Sequence, residues 1–385
     1  MRGVKVSAPA KVLLFGEHAV VYGSACVAAA LDDLRLYVSV EAAASDAIEL
    51  LFCDLVSEAD KAPLRRSFAL AQLREAAREF PEDAHFLPRP SAPVLARLDA
   101  LLAREASAAD AAALRPALFL CLALLRPLLA SHERRGGVRV EVSATERFPI
   151  GAGLGSSAAF SVALAGALAR FQDSGAAADS STGGAALERV NAYAFAAEVL
   201  LHGTPSGVDN TVAAFGGALV FKRQPKPAFE RVACDLNQFR FLLVDTRVAR
   251  STKQQVANVR ALYEADRATV EQRFREIDAL ARAFVEHAQQ DALSEAALAR
   301  SIARNHALLN ALGVGHDAIE RVAALCGTVG AATKLTGAGG GGCTLSLLPR
   351  GLSDAALAAL TAELEASGFQ CYVSAVGGAG FRVEA

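Results

Sequence analysis

The sequence predicts an α+β protein of two domains, and three observations point there. Short strand-like runs stand at both ends of the chain and in its middle, and Ala- and Leu-rich stretches at helical spacing lie between them. A chain of 385 residues exceeds the length over which a single core keeps growing. Two glycine-rich loops, IGAGLGSS (150–157) and GAGGGG (337–342), each follow a strand-like run, one in either half.

Along the chain, VKVSAP (4–9) and KVLLFGEH (11–18) are expected as two strands, followed by RLYVSVEAA (35–43) and AIELLF (47–52). From about residue 67 to 132 Ala, Leu and Arg recur at helical spacing. Prolines at 88, 90, 93, 116 and 127 are expected to cut that run into separate helices. GVRVEVSAT (137–145) returns to strand and leads into the first glycine loop, after which a helix begins. A second helix, 187–203, ends at Gly203, TPSGVDNTVAAFGG opens another, and GALVFKR (217–223) is a strand. QPKP (224–227) is the best linker, which divides the chain into domains 1–222 and 223–385. The second domain is expected to hold a strand at 240–246, helices at 251–287, 292–312 and 316–328, strands on either side of GAGGGG, a helix near 353–367 and a last strand, QCYVSAV.

Composition narrows the function. The chain is 53% hydrophobic and 21% charged, with a net charge of −2, so neither nucleic acid nor an anionic membrane is an expected partner. The most apolar stretch, 113–130, is interrupted by Arg115, Pro116, Arg126 and Pro127 and is expected as a core helix. Seven scattered cysteines without a C-x-x-C pair suggest reduced thiols in a cytoplasmic protein. The N-terminal apolar run is too short for a signal peptide, and the chain ends in no peroxisomal signal. Only seven of the thirty-nine basic residues are lysine, and Lys11, Lys253 and Lys334 fall in or beside motifs.

The first glycine loop raises the question of an anion. Glycines let the backbone turn tightly and bring N–H groups close to a ligand. A helix starting at Ser156 adds free N–H groups and a positive dipole end. The same stretch could be no more than a turn with a serine cap. G-x-x-x-x-G-K-[ST] is absent, so this is no P-loop. GAGGGG runs into CTLSLL, a strand, and therefore fails as a dinucleotide fingerprint.

Three stretches together carry a resemblance: SAPAKVLLFGEHAVVYG (7–23), FPIGAGLGSSAAFS (148–161) and KLTGAGGGGCTL (334–345). In wording and order they resemble the three motifs of the GHMP kinase superfamily. GEHAVVYG is similar to the branch that phosphorylates mevalonate, whereas galactokinases carry a different turn after Glu-His. The resemblance implies a two-domain α+β fold with the active site in the cleft between domains. It implies ATP as co-substrate, Mg²⁺ as cofactor and mevalonate as acceptor, phosphorylated on its 5-hydroxyl in isoprenoid biosynthesis. Gly151, Gly153, Leu154, Gly155, Ser156 and Ser157 would then cradle the ATP phosphates, and Ser157 and Glu198 would bind Mg²⁺. Asp209 would be the base with Lys11 beside it, and Glu17, His18 and Thr252 would line the mevalonate site. Gly339–Gly341 would pack against the phosphate loop. Taken singly, Asp209 could be a helix cap, Glu198 a solvated helix face and His202 a dipole partner at a helix end. Ala10 stands where the family has Gly and requires a negative φ. Feedback inhibition by prenyl diphosphates at the ATP phosphate site and a homodimer both stay open at this point. Two other readings are a kinase of another small alcohol or sugar and a silent nucleotide-binding paralogue.

Overall fold

The computed structural model describes residues 3–58, 60–78, 90–130, 136–173, 184–223 and 228–384. The expected linker at 224–227 lies outside the described residues.

The two strands expected at 4–9 and 11–18 are one, β1 (Val4–Phe15), which runs through Pro9. Pro9 cannot donate to a ladder, and the register against the next strand shifts between Pro9 and Ala10. Ala10 is not among the residues with positive φ, so a side chain fits there. β2 (Cys26–Ala43) starts well before the expected 35. Its first half, CVAAALDDL, has little β propensity but is held between β1 and β6 (Ala218–Lys222). Burial and pairing decide that segment.

β3 (Ala47–Val56) and β4 (Pro63–Ala69) form a hairpin, and β4 takes the start of the span expected to be helical. Helices α1 (Leu70–Ala77), α2 (Ala92–Glu105), α3 (Ala108–Leu124) and α4 (Arg126–Ala130) follow. Pro93 and Pro127 stand at the second positions of α2 and α4, where a missing N–H costs nothing. Pro116, expected to end a helix, lies inside α3 instead. The buried residues around it, from Leu114 to Leu122, anchor both sides of the lost hydrogen bond.

β5 (Gly137–Ala144) completes a sheet of order β12-β1-β2-β5-β3-β4, with β6 and then β7 (Ala228–Val232) branching from β2. Among the described residues only β3 and β5 pair in parallel. α5 (Ser156–Asp173), α6 (Gly184–His202) and α7 (Val208–Phe215) pack on one another, with α5 laid on β1 and β2. The sheet takes in β7 and the C-terminal β12 (Arg382–Val383), so it extends past residue 222.

A second, antiparallel sheet has the order β11-β8-β10-β9, from β8 (Arg240–Asp245), β9 (Ala332–Leu335), β10 (Cys343–Leu348) and β11 (Gln370–Ser374). Its helices are α8 (Thr252–Ala265), α9 (Arg267–Gln289), α10 (Glu295–Ala311), α11 (Asp317–Gly327) and α12 (Asp354–Ala366). Asp266 separates α8 from α9 by accepting a hydrogen bond from the Thr269 N–H. The two sheets meet where β1 ends. The Leu13 N–H donates to Thr336 Oγ1 at 3.1 Å, and the Ala25 N–H to Asp278 Oδ1 at 2.6 Å.

Candidate active site

The first glycine loop joins β5 to α5, and its geometry explains its composition. Gly151, Gly153 and Gly155 all have positive φ, at 81°, 89° and 72°, a region that costs a side-chain-bearing residue about 1 kcal/mol or more. At Gly155 a second constraint applies. A Cβ there would stand 2.9 Å from Lys11 Cγ and 3.6 Å from Asp209 Cβ, so bare backbone lets the loop lie against both side chains. The Leu154 side chain is buried in the core and its carbonyl accepts from the Lys11 N–H at 2.8 Å, which fixes the loop to β1. The Gly151 N–H reaches Ser156 Oγ at 3.4 Å, and α5 starts at that serine. The N-terminal amides of a long helix thus open at the loop's exit, the arrangement that holds phosphate.

Three charged groups converge beside it. Lys11 Nζ lies 3.3 Å from Asp209 Oδ1, with the lysine nearly buried and the aspartate about a third exposed. Asp209 is in the first turn of α7, but the N-cap of that helix is Gly207 and Ser206 Oγ accepts from the Val208 N–H at 3.2 Å, so capping is not its role. Glu198 Oε2 accepts from Ser157 Oγ at 3.1 Å and Oε1 from Ser161 Oγ at 3.4 Å. Glu198 is 3% exposed, not on a solvated helix face. Burial pushes its carboxyl up to about 7, and the nearby Asp209 charge adds to the effect; Ser157, Ser161 and Lys11 oppose it. His202, one turn on, reaches the same group, with Nε2 3.2 Å from Ser157 Oγ and 3.6 Å from Glu198 Oε2. Expected as a dipole partner at a helix end, His202 stands at i, i+4 from Glu198, and that spacing is the signal that could have joined the two.

The residues expected at the acceptor site have other partners. Glu17 is 1% exposed; its Oε1 pairs with Lys334, and its Oε2 accepts from Asn305 Nδ2 at 3.0 Å. Lys334 is fully buried and also donates to the Leu13 carbonyl at 3.1 Å. A carboxylate out of water needs such partners, so Glu17 joins β1 to β9 and α10. Lys334 was noticed in the sequence as a motif lysine, but a partner 317 residues away has no local signature. His18, at φ 60°, has Nε2 2.9 Å from the Ala338 carbonyl. A carbonyl only accepts, so Nε2 carries the proton. Burial pushes the imidazole below its ordinary pKa and favours the neutral ring. Thr252 is exposed at the start of α8 and makes no contact with Glu17 or His18 among the hydrogen bonds of the described residues.

Gly339–Gly341 do not face the first glycine loop, where the resemblance placed them. A Cβ at Gly339 would meet the Val314 carbonyl at 2.1 Å, at Gly340 the Gln255 amide at 2.1 Å, and at Gly341 Val248 Cβ at 2.8 Å. The loop is approached by their neighbours Gly337 and Gly342, through Arg250. A Cβ at Gly342 would lie 2.6 Å from Arg250 Nε, and one at Gly153 would lie 1.6 Å from Arg250 Nη2. The two glycine motifs therefore close on either side of one guanidinium.

Beside the loop is an apolar cavity of about 170 Å³, lined by Leu36, Phe52, Leu55, Pro116, Val142 and Phe160 and bordered by Ser156 and Ser157. β3 and α3 thus give part of the segment 55–135 a place at the site, for which its sequence contained no motif.

A glycine loop feeding a helix, with a Lys-Asp pair and a Ser-Glu pair beside it, defines a small-molecule kinase site of the GHMP type. Residues 117–217 match the GHMP kinases N terminal domain and residues 289–366 the GHMP kinases C terminal. The chain is 33% identical to mevalonate kinase of Mus musculus, over 97% of this chain and 93% of that one. It is also 33% identical to mevalonate kinase of Arabidopsis thaliana, over 99% of each. The fold is that of L. major mevalonate kinase, solved in complex with R-mevalonate, with a TM-score of 0.67 at 22% identity over 96% of this chain and 95% of that one. The chain belongs to the mevalonate kinase family of the GHMP kinases.

Proposed function

We propose that the protein transfers the γ-phosphoryl group of ATP to the 5-hydroxyl of mevalonate, giving 5-phosphomevalonate and ADP. One observation carries the reading: Lys11 and Asp209 form a 3.3 Å pair directly against Gly155 of the phosphate loop. Phosphoryl transfer requires an in-line nucleophile, compensation of charge on the transferred group and a destination for the nucleophile's proton. Loop amides and the α5 N-terminus hold the phosphates. Asp209 takes the proton of the attacking hydroxyl as the new O–P bond forms and the bond to the β-phosphate oxygen breaks, and ADP leaves with the electron pair. The Lys11 ammonium stabilises negative charge on the oxygen that loses its proton.

Ser157 and Glu198 fit Mg²⁺. Both offer hard oxygen donors 3.1 Å apart, and among the described residues no group of three or more His, Cys, Asp or Glu side chains converges to hold a metal unaided. One carboxylate and one hydroxyl suit an ion that completes its shell with phosphate oxygens and water. Bound there, Mg²⁺ would neutralise charge on the phosphates. Glu17 and Lys334 serve the acceptor indirectly, by holding the turn that presents His18. The apolar cavity beside the loop suits the hydrocarbon of a prenyl diphosphate whose phosphates occupy the loop, which would make such compounds competitors of ATP.

Among the described residues no helix is long and apolar enough to cross a membrane. With seven free cysteines, a cytoplasmic setting is the reading that fits. The test is ADP release by purified protein offered mevalonate, phosphomevalonate, galactose or homoserine. Rapid turnover is expected with mevalonate alone, and faster turnover with galactose would overturn the assignment.

A further inference from the structure

Arg250 stands between β8 and α8 and is the group on which both glycine motifs close. Its guanidinium lies over Gly153, whose Cβ position is 1.6 Å from Nη2. Its Nε and Cδ lie over Gly342, at 2.6 and 2.8 Å from the Cβ position there, and Nη1 is 3.4 Å from that of Gly337. Three glycines thus make room for one arginine. That close approach would be wasted on a packing role, because the polar atoms gain nothing from it: Nε and Nη1 are buried and have no hydrogen-bond partner among the described residues. Buried donors left unpaired each cost on the order of 1–3 kcal/mol, and more when charged. Elsewhere the described structure partners its buried cations, Lys334 with Glu17 and Arg35 with Ser7 and the carbonyl of Gly380.

The position says what would satisfy it. Burial pushes the guanidinium below its ordinary pKa, with Asp245 and Asp209 opposing the shift through space, yet no ion pair engages it among the described residues. A rigid fork of N–H donors matches an oxyanion. The neighbouring donors are the amides of the loop 151–155 and the amides at the start of α5. Donors from loop, helix and guanidinium then surround one anion.

We infer that Arg250 binds the oxygens of the phosphoryl group being transferred, as a further catalytic residue of this site. The inference rests on the kinase reading above. It adds a cation from the C-terminal half of the chain to a phosphate site otherwise built from the N-terminal half, so that transfer requires both halves in contact.

Arg250→Gln and Arg250→Lys test it, with circular dichroism to verify the fold. Calorimetry with AMPPNP and with ADP, at saturating Mg²⁺, separates the terminal phosphate from the rest of the nucleotide. Arg250→Gln should weaken AMPPNP at least about tenfold and ADP no more than about twofold. It should lower kcat by about 10²-fold or more, the range for loss of one oriented donor to transition-state charge, with KM for mevalonate nearly unchanged. Arg250→Lys should recover part of the AMPPNP affinity but little of kcat, because an ammonium lacks the fork. A selective rise in KM for mevalonate with AMPPNP affinity intact would overturn the inference and assign the guanidinium to the acceptor's carboxylate. Unchanged kcat and affinities in Arg250→Gln would also overturn it and leave Arg250 as packing. Failure of the wild-type protein to phosphorylate mevalonate would count against the acceptor alone, because the contrast between AMPPNP and ADP does not depend on it.

Discussion

Replacing Glu198 by glutamine should raise the stability of the metal-free protein at alkaline pH while removing its Mg²⁺-dependent activity. The carboxyl titrates at about 7 in the fold against an ordinary 4.5. A carboxyl whose folded pKa is raised keeps its proton in the native state while the unfolded chain has already released it. Stability is therefore fully present below pH 4.5 and is lost as pH rises through 7. The gap between 4.5 and about 7, at about 1.4 kcal/mol per pH unit, sets a ceiling of about 3 kcal/mol on the loss. Glutamine never ionises, and its amide can keep the hydrogen bonds of Ser157 and Ser161. Urea unfolding in chelator should thus give closely similar midpoints for wild type and Glu198→Gln at pH 5. At pH 8 the variant should be the more stable, by up to about 3 kcal/mol. Calorimetry should show weakened Mg²⁺·AMPPNP binding in the same variant, since an oxygen donor with full charge is gone. A Glu198→Gln protein less stable than wild type at pH 8 without metal would refute the burial argument. Wild-type turnover at low Mg²⁺ would remove Glu198 from the metal site.

Asp209→Asn and Lys11→Met should each lower kcat by about 10²–10⁴-fold with little change in KM for mevalonate. Because the two lie 3.3 Å apart and serve one proton transfer, the double variant should lose much less than the product of the single losses, as steady-state kinetics would show. Lys334→Met should destabilise by about 3–5 kcal/mol, since Glu17 would be left buried without its cation; adding Glu17→Gln should restore part of that loss in thermal unfolding. Farnesyl diphosphate should inhibit competitively against ATP and not against mevalonate. Replacing Phe160, whose ring lines the apolar cavity beside the loop, by a polar residue should weaken that inhibition more than a short-chain diphosphate's.

Much of this protein was legible in its sequence because the determining interactions are local. Glycine at 151, 153 and 155 answers to backbone dihedrals that the glycine itself adopts, and the strand, loop and helix around it follow from hydrophobic period and turn chemistry over about thirty residues. Lys11 and Ser157 could be singled out because each sits within such a motif, and Glu198 and Asp209 through the family resemblance that those motifs carry. The strand half at 26–34 escaped because alanine and aspartate carry no β signal, and the β6 ladder that makes it a strand lies almost two hundred residues away. The continuity of the core helix through Pro116 escaped for a similar reason: flanking burial, invisible to propensity, carries it past a residue that ends isolated helices.

What the sequence by itself determined, then, is the kinase class, through its resemblance to a known family, the glycine loop before α5 and the residue types that flank it. Tertiary structure alone decided which charges face one another. It paired Glu17 with Lys334, placed Glu198 out of water with its pKa near 7, and set Arg250 between Gly153 and Gly342. The physical reason is that desolvation and Coulomb energy depend on burial and on distances of a few ångströms between groups hundreds of residues apart, and a chain acquires those distances only when its sheets pack together.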